Sequence, residues 1–111
     1  MSPKLSPVPH APRDLSEIDL VTVLHALADP VRIEIVRQLA GCGPTGELSC
    51  GQIRLPVTKS TASHHLKTLS CAGITSEREE GTRKFVRLRR AELEERFPGL
   101  MASVLGAATA A

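Results

Sequence analysis

The sequence has no tryptophan, no tyrosine and only two phenylalanines in 111 residues. Modules that stack unpaired bases on aromatic platforms need such rings, so their absence argues against single-stranded nucleic acid and leaves duplex DNA as the favoured polyanion. No apolar run is long enough for a membrane-spanning helix. The first residues hold one lysine and four prolines without an apolar segment, which argues against a signal peptide. Three cysteines, an odd number without a disulfide-framework spacing, point to a reduced, cytoplasmic protein. There are no internal repeats, no glycine-rich phosphate loop and no nucleophile elbow. Ser63 and His64 are sequence neighbours, but adjacent helical residues point about 100° apart and no third group orients the histidine, so an enzyme is not expected.

What is present suits one small domain. Apolar residues make up 41% of the chain, enough for a core, and a second copy would help a chain this short bury its surface. The charge is unevenly placed. Residues 59–90 hold eight basic side chains against three acids, +5 in a chain of net +2, so the remainder carries −3. A basic segment in a slightly acidic chain suggests a polyanion-binding face, although a solvated surface has the same composition.

Pro3, Pro7, Pro9 and Pro12 mark residues 1–15 as a disordered arm. Ser16 with Asp19 resembles an N-terminal capping pair, and Leu20, Leu24 and Leu27 follow at helical spacing, predicting a first helix over 16–28. Asp29 caps and Pro30 opens a second helix, whose stripe is Val31, Ile35, Val36 and Leu39 and whose end is Gly41. A loop of glycine and proline follows. Ser49 and Gln52 form a capping box for a short third helix that buries Ile53 and closes at Pro56. Thr58 caps a fourth helix over 59–72 that stops at Gly73. The period then falls to two: residues 74–79 and 83–88 read as strands joined through Glu80-Gly81-Thr82, with Val86 and Leu88 inward and Phe85 and Arg87 outward. A final helical region starts near 91, with Leu93, Phe97, Leu100 and Val104 as a coiled-coil-like seam and a break at Pro98. Residues 106–111 are expected to fray.

The expected fold is therefore mainly α with a small β-hairpin, a winged helix-turn-helix of order α-α-α-α-β-β-α over residues 16–105. On the fourth helix, Ala62, Leu66 and Leu69 share the inward face. Lys59, Ser60, Thr61, Ser63, His64, Lys67 and Thr68 supply hydroxyls, imidazole and ammonium groups and no carboxylate, chemistry that suits phosphates and major-groove base edges. Arg83, Lys84 and Arg87, with Arg78 on the opposing strand, form a basic wing for the phosphate backbone or the minor groove. Glu77, Glu79 and Glu80 are close enough in sequence to pair with some of these cations.

Four segments together resemble the ArsR/SmtB family of transcriptional regulators. Leu27-Ala28-Asp29-Pro30-Val31-Arg32-Ile33-Glu34-Ile35-Val36 looks like the opening of that family's second helix. Ser60-Thr61-Ala62-Ser63-His64-His65-Leu66-Lys67-Thr68-Leu69 looks like its recognition helix. Cys71-Ala72-Gly73-Ile74 and Arg78-Glu79-Glu80-Gly81-Thr82-Arg83 resemble its helix end and wing. The resemblance implies a repressor-like homodimer that binds double-stranded DNA at two half-sites about one helical turn apart. It implies that the first and last helices form the interface, with Leu20, Leu24, Leu93, Phe97, Leu100 and Val104 as its residues here.

The family's metal sites do not carry over. One needs two cysteines separated by one residue where this chain has Ser49-Cys50-Gly51. The other needs Asp and His where this chain has Glu92, Glu94 and Glu95. Cys42, Cys50, Cys71, His10 and His25 remain as ligand candidates for a divalent transition metal effector, nickel or zinc, which needs several N or S donors at about 2.0–2.3 Å for zinc. Oxidation of Cys71 at the end of the recognition helix is a redox alternative, and a buried free cysteine without function is the plainer one. His65 sits at the edge of the apolar face, where packing or hydrogen bonding is expected. A co-regulator protein is another source of a signal. The rival from a different class is a winged-helix module that binds only protein.

Overall fold

Asp19, not Ser16, starts the first helix. In the computed structural model, which describes residues 14–43 and 46–110, Ser16 lies inside a short 3-10 helix, Leu15–Glu17. Asp19 has extended backbone and accepts from the Thr22 amide at 3.0 Å, which sets the start of α1, Leu20–Leu27. The nearer Asp wins because its carboxylate reaches the N–H three residues on, where the first turn has no internal partner. Residues 1–13 of the expected arm, with all four prolines and His10, lie outside the described residues, whereas Leu15, placed in that arm, already opens the 3-10 helix.

The second cap forms as expected. Asp29 accepts from the amides of Val31 and Arg32, Pro30 takes the first helical position, and α2 runs Pro30–Ala40. Gly41 is its C-cap but keeps a right-handed backbone, φ −86°. The predicted third helix is a single 3-10 turn, Cys50–Gln52, with the Ser49–Gln52 capping box in place. Ile53 beside it is only half-buried, packed against the core rather than within it.

A strand that sequence reasoning missed precedes that turn: β1, Glu47–Ser49. After α3, Lys59–Ala72, come β2, Thr75–Glu80, and β3, Arg83–Leu88. All pairing is antiparallel in the order β1-β3-β2, so the expected hairpin is a three-stranded sheet with β3 central. Glu80 pairs with Arg83, which shortens the hairpin connection to Gly81-Thr82. Gly81 at φ +62° supplies the positive dihedral that a two-residue connection needs. Val86 and Leu88 are buried while Phe85 and Arg87 are half-buried on the other face, as the alternation predicts.

The last helical region divides at Phe97-Pro98-Gly99 into α4, Arg90–Arg96, and α5, Leu100–Ala110. Pro98 cannot continue a helix, and Gly99 takes φ +86°. The helix continues into the expected tail. No helix among the described residues is long and apolar enough to cross a membrane.

One core joins these elements. Ile18, Val23, Ile35, Leu39, Leu69, Ile74, Val86, Leu93 and Met101 are each at most 1% exposed. A fully buried side chain of this size contributes about 1.5–3 kcal/mol from transfer out of water. The architecture is a winged helix-turn-helix: α3 packs through Leu66 and Leu69 and presents its other face outward, with the β2–β3 hairpin beside it.

Candidate nucleic-acid interface

The outward face of α3 is built by its own cap and a cross-helix tie. Thr58 accepts from the Thr61 amide at 3.3 Å, and its hydroxyl donates to the Thr61 hydroxyl at 3.0 Å. Lys59, Ser60, Thr61, Ser63, His64 and Lys67 are exposed, and Thr68 is half-buried with its hydroxyl donating to the His64 carbonyl at 3.0 Å. No carboxylate occurs between Lys59 and Ala72.

Arg32 holds this helix to the rest of the domain. Its Nε donates to the Ala26 carbonyl at 2.6 Å, and its Nη1 donates to His65 Nδ1 at 3.1 Å. An arginine has only donors, so Nδ1 must be the acceptor here. One side chain of α2 therefore ties α1 to α3, and His65 has the hydrogen-bonding role expected of it. The Arg32 contact spans 33 residues of sequence and left no local signal.

The wing is more neutral than its composition suggests. Arg78 is held by Glu47 through two hydrogen bonds of 2.9 Å and by Glu80 at 2.7 Å, and it lies 4.4 Å from the Phe85 ring centroid. The Arg78 guanidinium keeps Glu47 below the ordinary carboxylate value, and Glu47 and Glu80 push Arg78 further up. Lys84 pairs with Glu77 at 3.5 Å, and Arg87 with Glu92 at 2.9 Å. Three of the four expected wing cations thus spend much of their field inside the chain. Arg83 remains, near the Phe85 face at 5.6 Å and without an ion pair among the described residues. Lys59 and Lys67 likewise form none there. The unpaired cations of this surface are therefore concentrated on α3 and at the start of β3. Helix and wing meet at a cleft of about 420 Å³, lined among others by Ser63, Lys67, Glu77 and Lys84.

The thiols are dispersed in role. Cys42 donates to the carbonyls of Leu39 and Glu47, at 2.9 and 3.3 Å, which pins the turn after α2. Cys50 and Cys71 line the helix–wing cleft, and burial pushes the Cys50 thiol up, away from the reactive thiolate. His25 lines a different cleft with His64, Lys67 and Cys71. No group of three His, Cys, Asp or Glu side chains among the described residues converges to hold a metal ion.

On α1, Leu20, Val21 and Leu24 are 42%, 71% and 47% exposed, an unusual cost for large apolar groups. Leu24 continues into an apolar groove of about 520 Å³, walled by Leu27, Ala28 and Ile33 and by Ser103, Val104 and Ala107 of α5. Phe97, Leu100 and Val104 are half-buried, whereas Leu93 is 0% exposed inside the chain's own core. Val21 escaped the sequence reading because it falls outside the leucine spacing.

Residues 27–78 match a family model described as a helix-turn-helix domain. The chain is also 38% identical over 81 residues to YceK of Bacillus subtilis (strain 168), described as an uncharacterized HTH-type transcriptional regulator; the match covers 71% of this chain and 79% of YceK.

Proposed function

The chain belongs to the family of helix-turn-helix transcriptional regulators, and from that premise we propose that it is an ArsR/SmtB-type repressor that binds duplex operator DNA as a homodimer in the cytoplasm. The observation that carries this reading is the exposed, carboxylate-free face of α3 beside a wing whose Arg83 has no ion pair among the described residues. Ser60, Thr61, Ser63 and His64 would meet base edges. Lys59, Lys67, Thr68 and Arg83 would meet phosphates, with Arg78, Lys84 and Arg87 shaping the wing and adding weaker contacts. The exposed Leu20, Val21 and Leu24 of α1, the groove that Leu24 shares with Val104 of α5, and the half-buried Phe97 and Leu100 support a dimer through α1 and α5. Two-fold symmetry would then place two recognition helices on two half-sites. Metal control through nickel or zinc is not part of the proposal, because no three ligands converge within the described residues of one chain.

The test is a fluorescence-anisotropy titration with the duplex upstream of the protein's own gene, at two salt concentrations, against a scrambled duplex. Tighter, salt-sensitive binding to the upstream duplex supports the proposal. If a genome-wide selection also finds no preferred duplex, the protein-only module takes its place. Charge reversal at Lys67 and Arg83 separates the two, since it abolishes DNA affinity under the first and is irrelevant to the second.

A further inference from the structure

The cleft between α1 and α3 has a composition that DNA binding does not require. It is about 370 Å³, within the range of small-molecule sites. Its floor is apolar, from Ala26, Ala72 and Cys71, and its rim is polar, from Thr22, His25, His64, Lys67 and Thr68. The two hydroxyls have already spent their protons: Thr22 donates to Asp19 and Thr68 to the His64 carbonyl. The unspent donors are nitrogen groups, the Lys67 ammonium and the rings of His25 and His64, none of which forms an ion pair among the described residues. Three nitrogen donors over an apolar floor match an anion with an apolar body. They do not match a metal, for which no three-ligand group exists there. A nucleotide would need more donors and more room.

We propose that this cleft binds a small organic carboxylate with a flat apolar body, its carboxylate on Lys67, His25 and His64 and its body against Ala26 and Ala72. The consequence for regulation rests on the DNA-binding reading above. His64, Lys67 and Thr68 belong to both surfaces, so the occupant and duplex DNA exclude one another. At a ligand concentration ten times its dissociation constant, competition weakens DNA binding about tenfold.

The chain has no tryptophan or tyrosine, so an ultraviolet-fluorescent probe reads against little background. The probe is 2-naphthoate, titrated into the full chain without DNA, with 2-naphthalenemethanol as its uncharged counterpart. The expected result is saturable binding of naphthoate, about tenfold weaker for the alcohol and for Lys67→Gln, and several-fold weaker for His25→Ala. Backbone amide shifts should fall at Thr22, His25, Thr68 and Cys71. Both substituted side chains are exposed, and circular dichroism checks that the variants fold. The proposal is overturned by absence of saturation up to millimolar probe, by equal binding of the alcohol or of both variants, or by shifts confined to the Leu24–Val104 groove. A repeat with bound duplex then reads competition, and simultaneous binding would sink the exclusion. If naphthoate binds as expected and no duplex does, the cleft stands and the regulator reading falls.

Discussion

Arg78 and Arg83 lie close together on the wing with the same charge, and their surroundings give them different roles. Arg78 is flanked by two carboxylates and stacked on Phe85, whereas Arg83 lies 5.6 Å from the Phe85 ring centroid and has no ion pair among the described residues. Each cation that displaces a condensed counterion adds about one unit to the slope of log affinity against log salt. Lys67→Ala and Arg83→Ala are therefore each expected to lower that slope by about one, and Arg78→Gln by well under one. Binding isotherms across a salt series decide this, and a full unit lost at Arg78 would put it on a phosphate. A second test concerns Glu34, which accepts from Arg37 and Gln38 and is held at about 2 against an ordinary 4.5, chiefly by the Arg37 hydrogen bonds. A carboxylate lowered by folding stabilises fully above its unfolded value and loses that contribution as pH falls toward the folded one. The pair is partly exposed, so its worth is under about 1 kcal/mol. Urea midpoints of the parent and Glu34→Gln should differ steadily above pH 5, and the gap should close between about 4.5 and about 2. A gap that ignores pH would mean that packing, not charge, separates them.

At the level of elements, the helix ends carry testable weight. Thr58→Ala removes the α3 cap and is expected to cost about 1 kcal/mol. Gly73 ends α3 with φ +89°, a left-handed conformation that a Cβ penalises, so Gly73→Ala should cost about 1–2 kcal/mol. Gly106 lies within α5 with open space where a Cβ would stand, and Gly106→Ala should instead stabilise by about 0.5–1 kcal/mol. Chemical denaturation of the three variants reads the signs, and Gly73→Ala without loss would refute the role given to its dihedral. These elements were legible because their signals are local. A cap and its amide lie three residues apart, and the alternation of Val86 and Leu88 needs only its own strand. The Ser16 cap failed because two acceptable caps stood three residues apart and only the backbone chose. The strand β1 was illegible for another reason: three residues cannot show a period, and its partner β3 lies nearly forty residues away.

For the whole molecule, the exposed leucines of α1 bear on assembly. Leu24→Glu places a charge on a side chain already 47% exposed, so the fold should survive while the proposed dimer dissociates. Sedimentation equilibrium should then give one chain's mass, with helical content unchanged, against two for the parent. A parent of one chain's mass would end the homodimer reading. Leu93→Ala tests the opposite case: as a core residue it should cost about 2–5 kcal/mol in stability.

The sequence by itself determined the helix starts at Asp29 and Thr58, the stop at Gly73, the hairpin with its inward pair Val86 and Leu88, and the polar face of α3. Each follows from neighbours within one turn of helix or two residues of strand, where covalent geometry places the groups. Only the tertiary structure decided that Glu47 and Glu92 would claim Arg78 and Arg87, that Arg32 would hold His65, and that Leu93 would face inward while Leu20, Val21 and Leu24 stay in contact with solvent. Ion pairing and burial depend on groups brought together from distant parts of the chain, and their strength falls with distances that no local spacing contains.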